Sequence, residues 1–148
     1  MSTPDRPAVV VVDTSVISTE LDERLRGRRR EYERHLRGRS LLLSFQTVAE
    51  LHYGALRAGW GELRTRRLQR LLTEQTRPVE TDPKMAAIGA RLRVDCERVG
   101  HGLAGKEHEG DRWVAATAIR LGLPLVAHDG IFFDVPDLQL ITELARPE

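Results

Sequence analysis

Ala8-Val9-Val10-Val11-Val12-Asp13-Thr14-Ser15 decides the fold. Four valines in a row are too short for a useful helix, and each is β-branched. Such side chains lose rotamer freedom in a helix but pack well on a pleated surface. A continuous apolar run without polar alternation predicts a strand buried on both faces, as in a parallel sheet. The run stops at a carboxylate. In open parallel α/β sheets, ligands sit just beyond the carboxyl ends of the strands. Asp13 therefore stands where a site is expected.

Working outward, residues 14–20 suit a short helix capped by Thr14 or Ser15. Residues 21–39 are highly charged, with Leu25, Tyr32 and Leu36 as sparse apolar points. They read as surface helix, broken near Gly27 and ended near Gly38. Leu41-Leu42-Leu43-Ser44 reads as a second strand. Residues 46–58 read as a helix with Val48, Leu51, Ala55 and Leu56 on its apolar stripe, and residues 61–75 as another with Leu63, Leu68, Leu71 and Leu72 inward. Pro78-Val79-Glu80 is a third strand candidate. Thr81-Asp82-Pro83 opens a helix running to about Val99, since a capping residue followed by proline is a start signal. Residues 100–110, rich in glycine, read as a loop. Residues 111–121 form a helix stopped by Gly122, and residues 123–127 and 138–141 the last strands. Strands alternating with helices predict a mostly parallel sheet covered on both faces.

The chain has 148 residues, enough for one domain with a real core, taken here as residues 1–148. No apolar run approaches the roughly 18 residues of a membrane span. The first seven residues lack the order of a secretion signal. The lone Cys96 cannot form an internal disulfide, so a soluble cytoplasmic protein is expected. The net charge of +1 hides an asymmetry. Residues 1–77 hold 15 arginines and no lysine against 10 acids, whereas residues 78–148 hold 8 basic residues against 12 acids. Arginine suits forked contacts with phosphate, although a GC-rich genome produces the same bias.

Four acids stand out: Asp13 at the end of the first strand, Glu50 one turn inside the helix over residues 46–58, Asp111 at the start of a helix, and Asp129 at the end of the strand that follows it. Asp111 is in phase with Val114, Ala115, Ala118 and Ile119, so it shares the buried stripe of its helix. Each acid has a plain structural use, as a cap, a turn residue or a solvated helix residue. Their joint placement is what points further, because strand ends and helix starts converge at one edge of a parallel sheet. Four neighbouring carboxylates repel each other and need a cation to stay ionised. Hard oxygen ligands suit Mg²⁺ or Mn²⁺. No Cys/His set has zinc spacing. A divalent ion near a basic surface suggests phosphodiester cleavage.

Val12-Asp13-Thr14-Ser15, Val48-Ala49-Glu50-Leu51 with Gly54-Ala55, Asp111-Arg112-Trp113-Val114-Ala115-Ala116-Thr117-Ala118, and Leu125-Val126-Ala127-His128-Asp129 with Phe132 together resemble the ordered motifs of PIN-domain nucleases. More narrowly, they resemble the VapC toxins of bacterial type II toxin–antitoxin (VapBC) pairs. The resemblance spans nearly the whole chain, and the segment beginning at Asp111 is its most specific part. It implies a three-layer α/β/α PIN-like domain with a mostly parallel sheet of four to five short strands. It also implies a Mg²⁺- or Mn²⁺-dependent endoribonuclease acting on RNA, a cognate VapB-like antitoxin, and a homodimer. By motif position Asp13, Glu50, Asp111 and Asp129 would be the catalytic, metal-holding acids, with Ser15 a polar supporter. Ala127 departs from the pattern, since many relatives carry threonine or serine there.

Other classes fit less well. A phosphorylatable receiver module needs a lysine at a later strand end, and neither Lys84 nor Lys106 follows an apolar strand. An Asp-x-Asp phosphatase is disfavoured by Ser15, and no phosphate-cradling Gly-x-x-x-x-Gly-Lys motif occurs. A PIN-like fold that binds RNA or a partner without cleaving, and a housekeeping nuclease without a toxin role, remain the alternatives. Residues 24–39 and 64–70 are the expected RNA path, and the helices around Leu25, Leu36 and Leu56 the expected antitoxin groove.

Overall fold

The computed structural model describes residues 6–148. The reading of the first seven residues as free of a secretion signal therefore falls mostly outside the described residues. Strands β1 (Val9–Val12), β2 (Ser40–Leu43), β3 (Arg77–Pro78), β4 (Leu125–Val126) and β5 (Leu140–Ile141) form a five-stranded sheet in the order β3-β2-β1-β4-β5. Every pairing is parallel. Val10, Val11 and Val12 have no solvent exposure, which is the two-sided burial expected of the valine run. Burying each side chain contributes on the order of 2 kcal/mol, so the strand leading to Asp13 is firmly held.

Alternation along β1 sorts the helices into two layers. Val10 and Val12 face α1 (Thr14–Ile17), α2 (Arg26–Leu36), α3 (Phe45–Ala58) and α4 (Glu62–Arg70), meeting Ile17, Tyr32, Leu51 and Leu68 in one core cluster. Val11 faces α5 (Pro83–Val99) and α6 (Glu109–Leu121), meeting Leu92, Cys96, Val114 and Ala115 in the other. The expected three layers are present. Ala115, Ala116 and Ala118 are wholly buried, and their small size lets α6 lie close on the sheet. The chain runs outward from β1 to β2 and β3, then crosses back to β4 and β5. The order reverses at β1, so the gap between the carboxyl ends of β1 and β4 is the topological switch point.

Several local expectations change. Asp13 itself, not Thr14 or Ser15, caps α1, since it alone has the extended backbone a cap needs. The break in the charged stretch comes at Asp22, which caps a short turn over Glu23–Leu25, and α2 runs through Gly27. Helix α4 stops at Arg70 and a wide turn, Leu71–Gln75, completes the stretch. Leu63 and Leu56 are not inward; they are 80% and 82% exposed. Each lies five residues from the buried residue that defines its helix's stripe, Leu68 and Leu51, which is about 140° round the helix. Residues 100–110 are no plain loop, because Gly102–Ala104 and Lys106–His108 are helical turns and α6 begins at Glu109. Asp111 is thus the third residue of its helix, not its cap.

Candidate active site

Four elements deliver the four acids. Asp13 follows β1, and its own N–H donates to the Val126 carbonyl of β4 at 2.9 Å, which extends the ladder to the switch point. Its side chain is 5% exposed and accepts from the Ser15 hydroxyl at 2.6 Å and the Ser15 N–H at 3.2 Å. Burial pushes the Asp13 carboxyl up to about 6; the Ser15 bonds oppose this, while Asp111 and Glu50 add to it. Glu50 lies on α3 and accepts from the Gln46 side-chain amide at 2.9 Å. Asp111, on the first turn of α6, sits 2.9 Å from the His108 ring nitrogen Nδ1. Its carboxyl is also raised, first by burial and then by Asp129 and Glu50, against the lowering contact with His108. Asp129 follows β4 and accepts from the Ile131 N–H at 3.1 Å, capping the turn over Gly130–Phe132.

These couplings place all four sequence-predicted acids in one electrostatic neighbourhood. Asp13 feels Asp111 and Glu50, and Asp111 feels Asp129 and Glu50. Among the described residues, no three His, Cys, Asp or Glu side chains are yet gathered closely enough to hold an ion as they stand. Each carboxylate instead rests on a donor of its own. The donor set still suits a hard divalent cation. It offers only carboxylate oxygens, and a cation would relieve the repulsion that raises Asp13 and Asp111.

Ser15 does more than touch Asp13. Its Oγ also accepts from the His128 N–H at 2.9 Å, so one hydroxyl ties the end of β1 to the segment between β4 and Asp129. That segment is pinned from the other layer by buried Tyr32. The Tyr32 hydroxyl donates to the Ala127 carbonyl at 3.1 Å or to His128 Nδ1 at 2.8 Å, and accepts from the Glu143 N–H at 3.0 Å. Burial, followed by nearby Arg28, holds the His128 ring below the usual histidine range. The sequence shows Tyr32 only as an apolar point of a charged stretch and gives no sign of its contact with His128, because the two are far apart in the chain.

Sequence reasoning misses two further supporting residues. The sequence places His108 only in a glycine-rich stretch without zinc spacing, yet it precedes Asp111 by three residues, which is the spacing of neighbours on a helix face. Gln46 precedes Glu50 by four, the other such spacing. Gln46 also spans two helices. A Cβ on Gly110 would lie 2.8 Å from the Gln46 amide nitrogen, so that glycine lets the Gln46 side chain lie on the start of α6 beside Asp111. Buried Arg112 donates to the Leu103 carbonyl at 3.0 Å and to the Gly105 carbonyl, holding the turns that carry His108.

The arginine-rich segments are partly absorbed by the fold. Arg64 and Arg67 donate to the Leu21 and Glu20 carbonyls, and Arg64 also stacks over Trp60 at 3.8 Å. Arg24, Arg34, Arg37 and Arg66 pair with Asp22, Glu143, Glu33 and Glu62. Arg26, Arg30 and Arg70 are exposed. No helix among the described residues is long and apolar enough to cross a membrane.

Comparison with known proteins agrees with this architecture. The PIN domain family profile matches residues 10–138. Ribonuclease VapC5 of Mycobacterium tuberculosis (strain ATCC 25618 / H37Rv) is 32% identical over 130 residues, covering 85% of this chain and 87% of the relative. The VapBC-5 toxin–antitoxin structure from M. tuberculosis superposes with a TM-score of 0.63 at 29% identity, over 92% of this chain and 99% of that one. VapBC2 from Rickettsia felis, bound to a DNA fragment from its promoter, gives a TM-score of 0.75 at 20% identity, over 90% and 98%. With these motifs, this sheet order and these matches, the chain belongs to the PIN-domain family, among its VapC members.

Proposed function

We propose that this chain is a Mg²⁺- or Mn²⁺-dependent endoribonuclease and the toxin of a toxin–antitoxin pair. The observation that carries the reading is the electrostatic coupling among four acids delivered by four elements, with Asp13 and Asp111 both raised first by burial and then by like charge. The ribonuclease names of the relatives support the substrate class. Asp13, Glu50, Asp111 and Asp129 would hold the ion, which when bound lowers the pKa of a water and neutralises charge on the scissile phosphate.

The protein's own part is positioning. Ser15 and the Ser15 N–H aim the Asp13 carboxylate, Gln46 aims Glu50, His108 aims Asp111, and the Ile131 N–H aims Asp129. Buried β1 and β4 lead directly into Asp13 and the segment bearing Asp129, which anchors these two acids on the sheet. One domain over residues 1–148, located in the cytoplasm, carries the activity, and it pairs as a homodimer. The VapBC complexes among the structural neighbours support a VapB-like antitoxin as partner. An arginine or lysine of that partner suits the anionic pocket in place of the ion.

A second reading, RNA or partner binding without cleavage, draws on the absence of an assembled three-ligand group among the described residues. One experiment separates the two. Purified, antitoxin-free protein is incubated with total cellular RNA with Mg²⁺, with Mn²⁺, or with EDTA. Cleavage is expected with metal and is lost in EDTA and in Asp111→Asn. Undiminished cleavage by Asp111→Asn in EDTA refutes the metal-dependent nuclease. Expression without the upstream partner gene should arrest growth, and the Asp13→Asn form should not. Harmless expression of active wild-type protein leaves a housekeeping nuclease.

A further inference from the structure

Phe45 and Trp113 have no use in the site described so far. Phe45 opens α3 with 67% of its surface exposed, and Trp113 lies two residues beyond Asp111, partly exposed. Both line a cavity of about 330 Å³ between the starts of α3 and α5 and the side of α6. Met85 and Thr117 contribute to its wall, and Gln46 and Asp82 line it as well. Gln46 is also the residue whose amide holds Glu50, so the cavity begins one hydrogen bond from the acids.

The Trp113 ring is seated deliberately. A Cβ on Gly89 of α5 would lie 2.6 Å from the ring carbon Cζ3. Glycine inside a helix costs about 0.5–1 kcal/mol relative to alanine, and here it makes room for the indole. The chemistry of the lining selects the occupant. Among the described residues, no lysine or arginine lines the cavity. Its single carboxylate, Asp82, is already engaged by Arg120 at 2.9 Å and by the Met85 N–H at 2.7 Å. A phosphate finds no cation among the lining residues, whereas a flat neutral group finds two aromatic rings beside the Gln46 side chain.

We infer that this cavity is a nucleobase subsite, in which Phe45 and Trp113 stack one unpaired base of the RNA while the adjoining phosphate reaches the acids. The inference rests on the ribonuclease reading above. Single-stranded RNA is recognised by splayed bases stacked on aromatic side chains, and each such stack matters strongly for affinity. The site thereby acquires a preference at one nucleotide, fixed by a wall that takes no part in the chemistry.

The test uses Trp113 as its own reporter in full-length protein carrying Trp60→Phe, held in EDTA so that nothing turns over. Hexaadenylate and hexauridylate are titrated against an abasic hexamer of equal charge. Quenching of Trp113 by the base-bearing hexamers and not by the abasic one is expected. Phe45→Ala should weaken their binding about 5- to 100-fold. Gly89→Ala, which lies outside the cavity lining but displaces the Trp113 ring, should do the same. In metal, Phe45→Ala should also shift the ends mapped on total RNA. Equal quenching by the abasic hexamer, or unchanged binding and ends in Phe45→Ala, overturns the subsite even while wild type cleaves. If Phe45→Ala keeps RNA binding but releases the protein encoded upstream, the cavity is a protein seat and the proposal fails. If wild type never cleaves yet its quenching depends on bases, the nuclease reading fails and the subsite stands.

Discussion

Asp13→Asn should make the metal-free protein more stable at neutral pH, although it destroys the site. The Asp13 carboxyl is held near 6 against about 3.8 for a free side chain. Between those values the folded state binds more protons than the unfolded one, so stability falls as pH rises through that window. Above about pH 6 the full cost of ionising the buried group applies, about 3 kcal/mol at 1.36 kcal/mol per unit. Asparagine keeps an acceptor for Ser15 and carries no charge. Urea unfolding in EDTA should therefore show Asp13→Asn more stable than wild type by up to about 3 kcal/mol at pH 7.5 and level with it near pH 3.5. Adding Mg²⁺ should raise wild type by the linkage expected of a bound ligand and leave the variant unmoved. A variant less stable than wild type by the same margin at both pH values would refute the electrostatic reasoning.

Ser15→Ala removes the hydroxyl that lowers the Asp13 carboxyl, so the acid limb of the pH–rate profile should move to higher pH. An unmoved limb would mean that Asp13 does not set it. Tyr32→Phe leaves the Glu143 N–H without its acceptor and the Ala127 carbonyl without this donor. Thermal or urea unfolding should register a loss of about 1–3 kcal/mol. Reversing exposed Arg26, Arg30 and Arg70 to glutamate should weaken RNA binding and flatten its salt dependence, by about 0.7 in log–log slope for each phosphate no longer neutralised. A slope unchanged from wild type would make these arginines solubilising only.

The sheet and the positions of the four acids on its strand ends and helices are legible because each is written locally. A run of valines ending in an acid declares a buried strand and its exit, and the helix beginning near Asp111 declares its buried stripe through Val114, Ala115 and Ala118. Gly59 and Gly122, both left-handed in the structure, announce where α3 and α6 stop. What escapes is whatever depends on two distant segments meeting. Tyr32 touches the segment after β4, and no periodicity in α2 hints at it. The inward placement of Leu56 and Leu63 fails for a different reason: each is apolar, but lies well round the helix from the stripe it is expected to join. Leu56 is exposed, whereas buried Leu51 and Leu68 belong to the core.

The sheet order also fixes when the site can exist. Strand β1 leaves the ribosome more than a hundred residues before one of its two neighbours, β4. Asp13 can therefore be synthesised, and even sheltered against β2, long before the segment bearing Asp129 emerges. A chain that stalls after α5 carries Asp13 and Glu50 but neither Asp111 nor Asp129. The topology thus separates, during synthesis, the emergence of the early helices from the completion of the four-acid set.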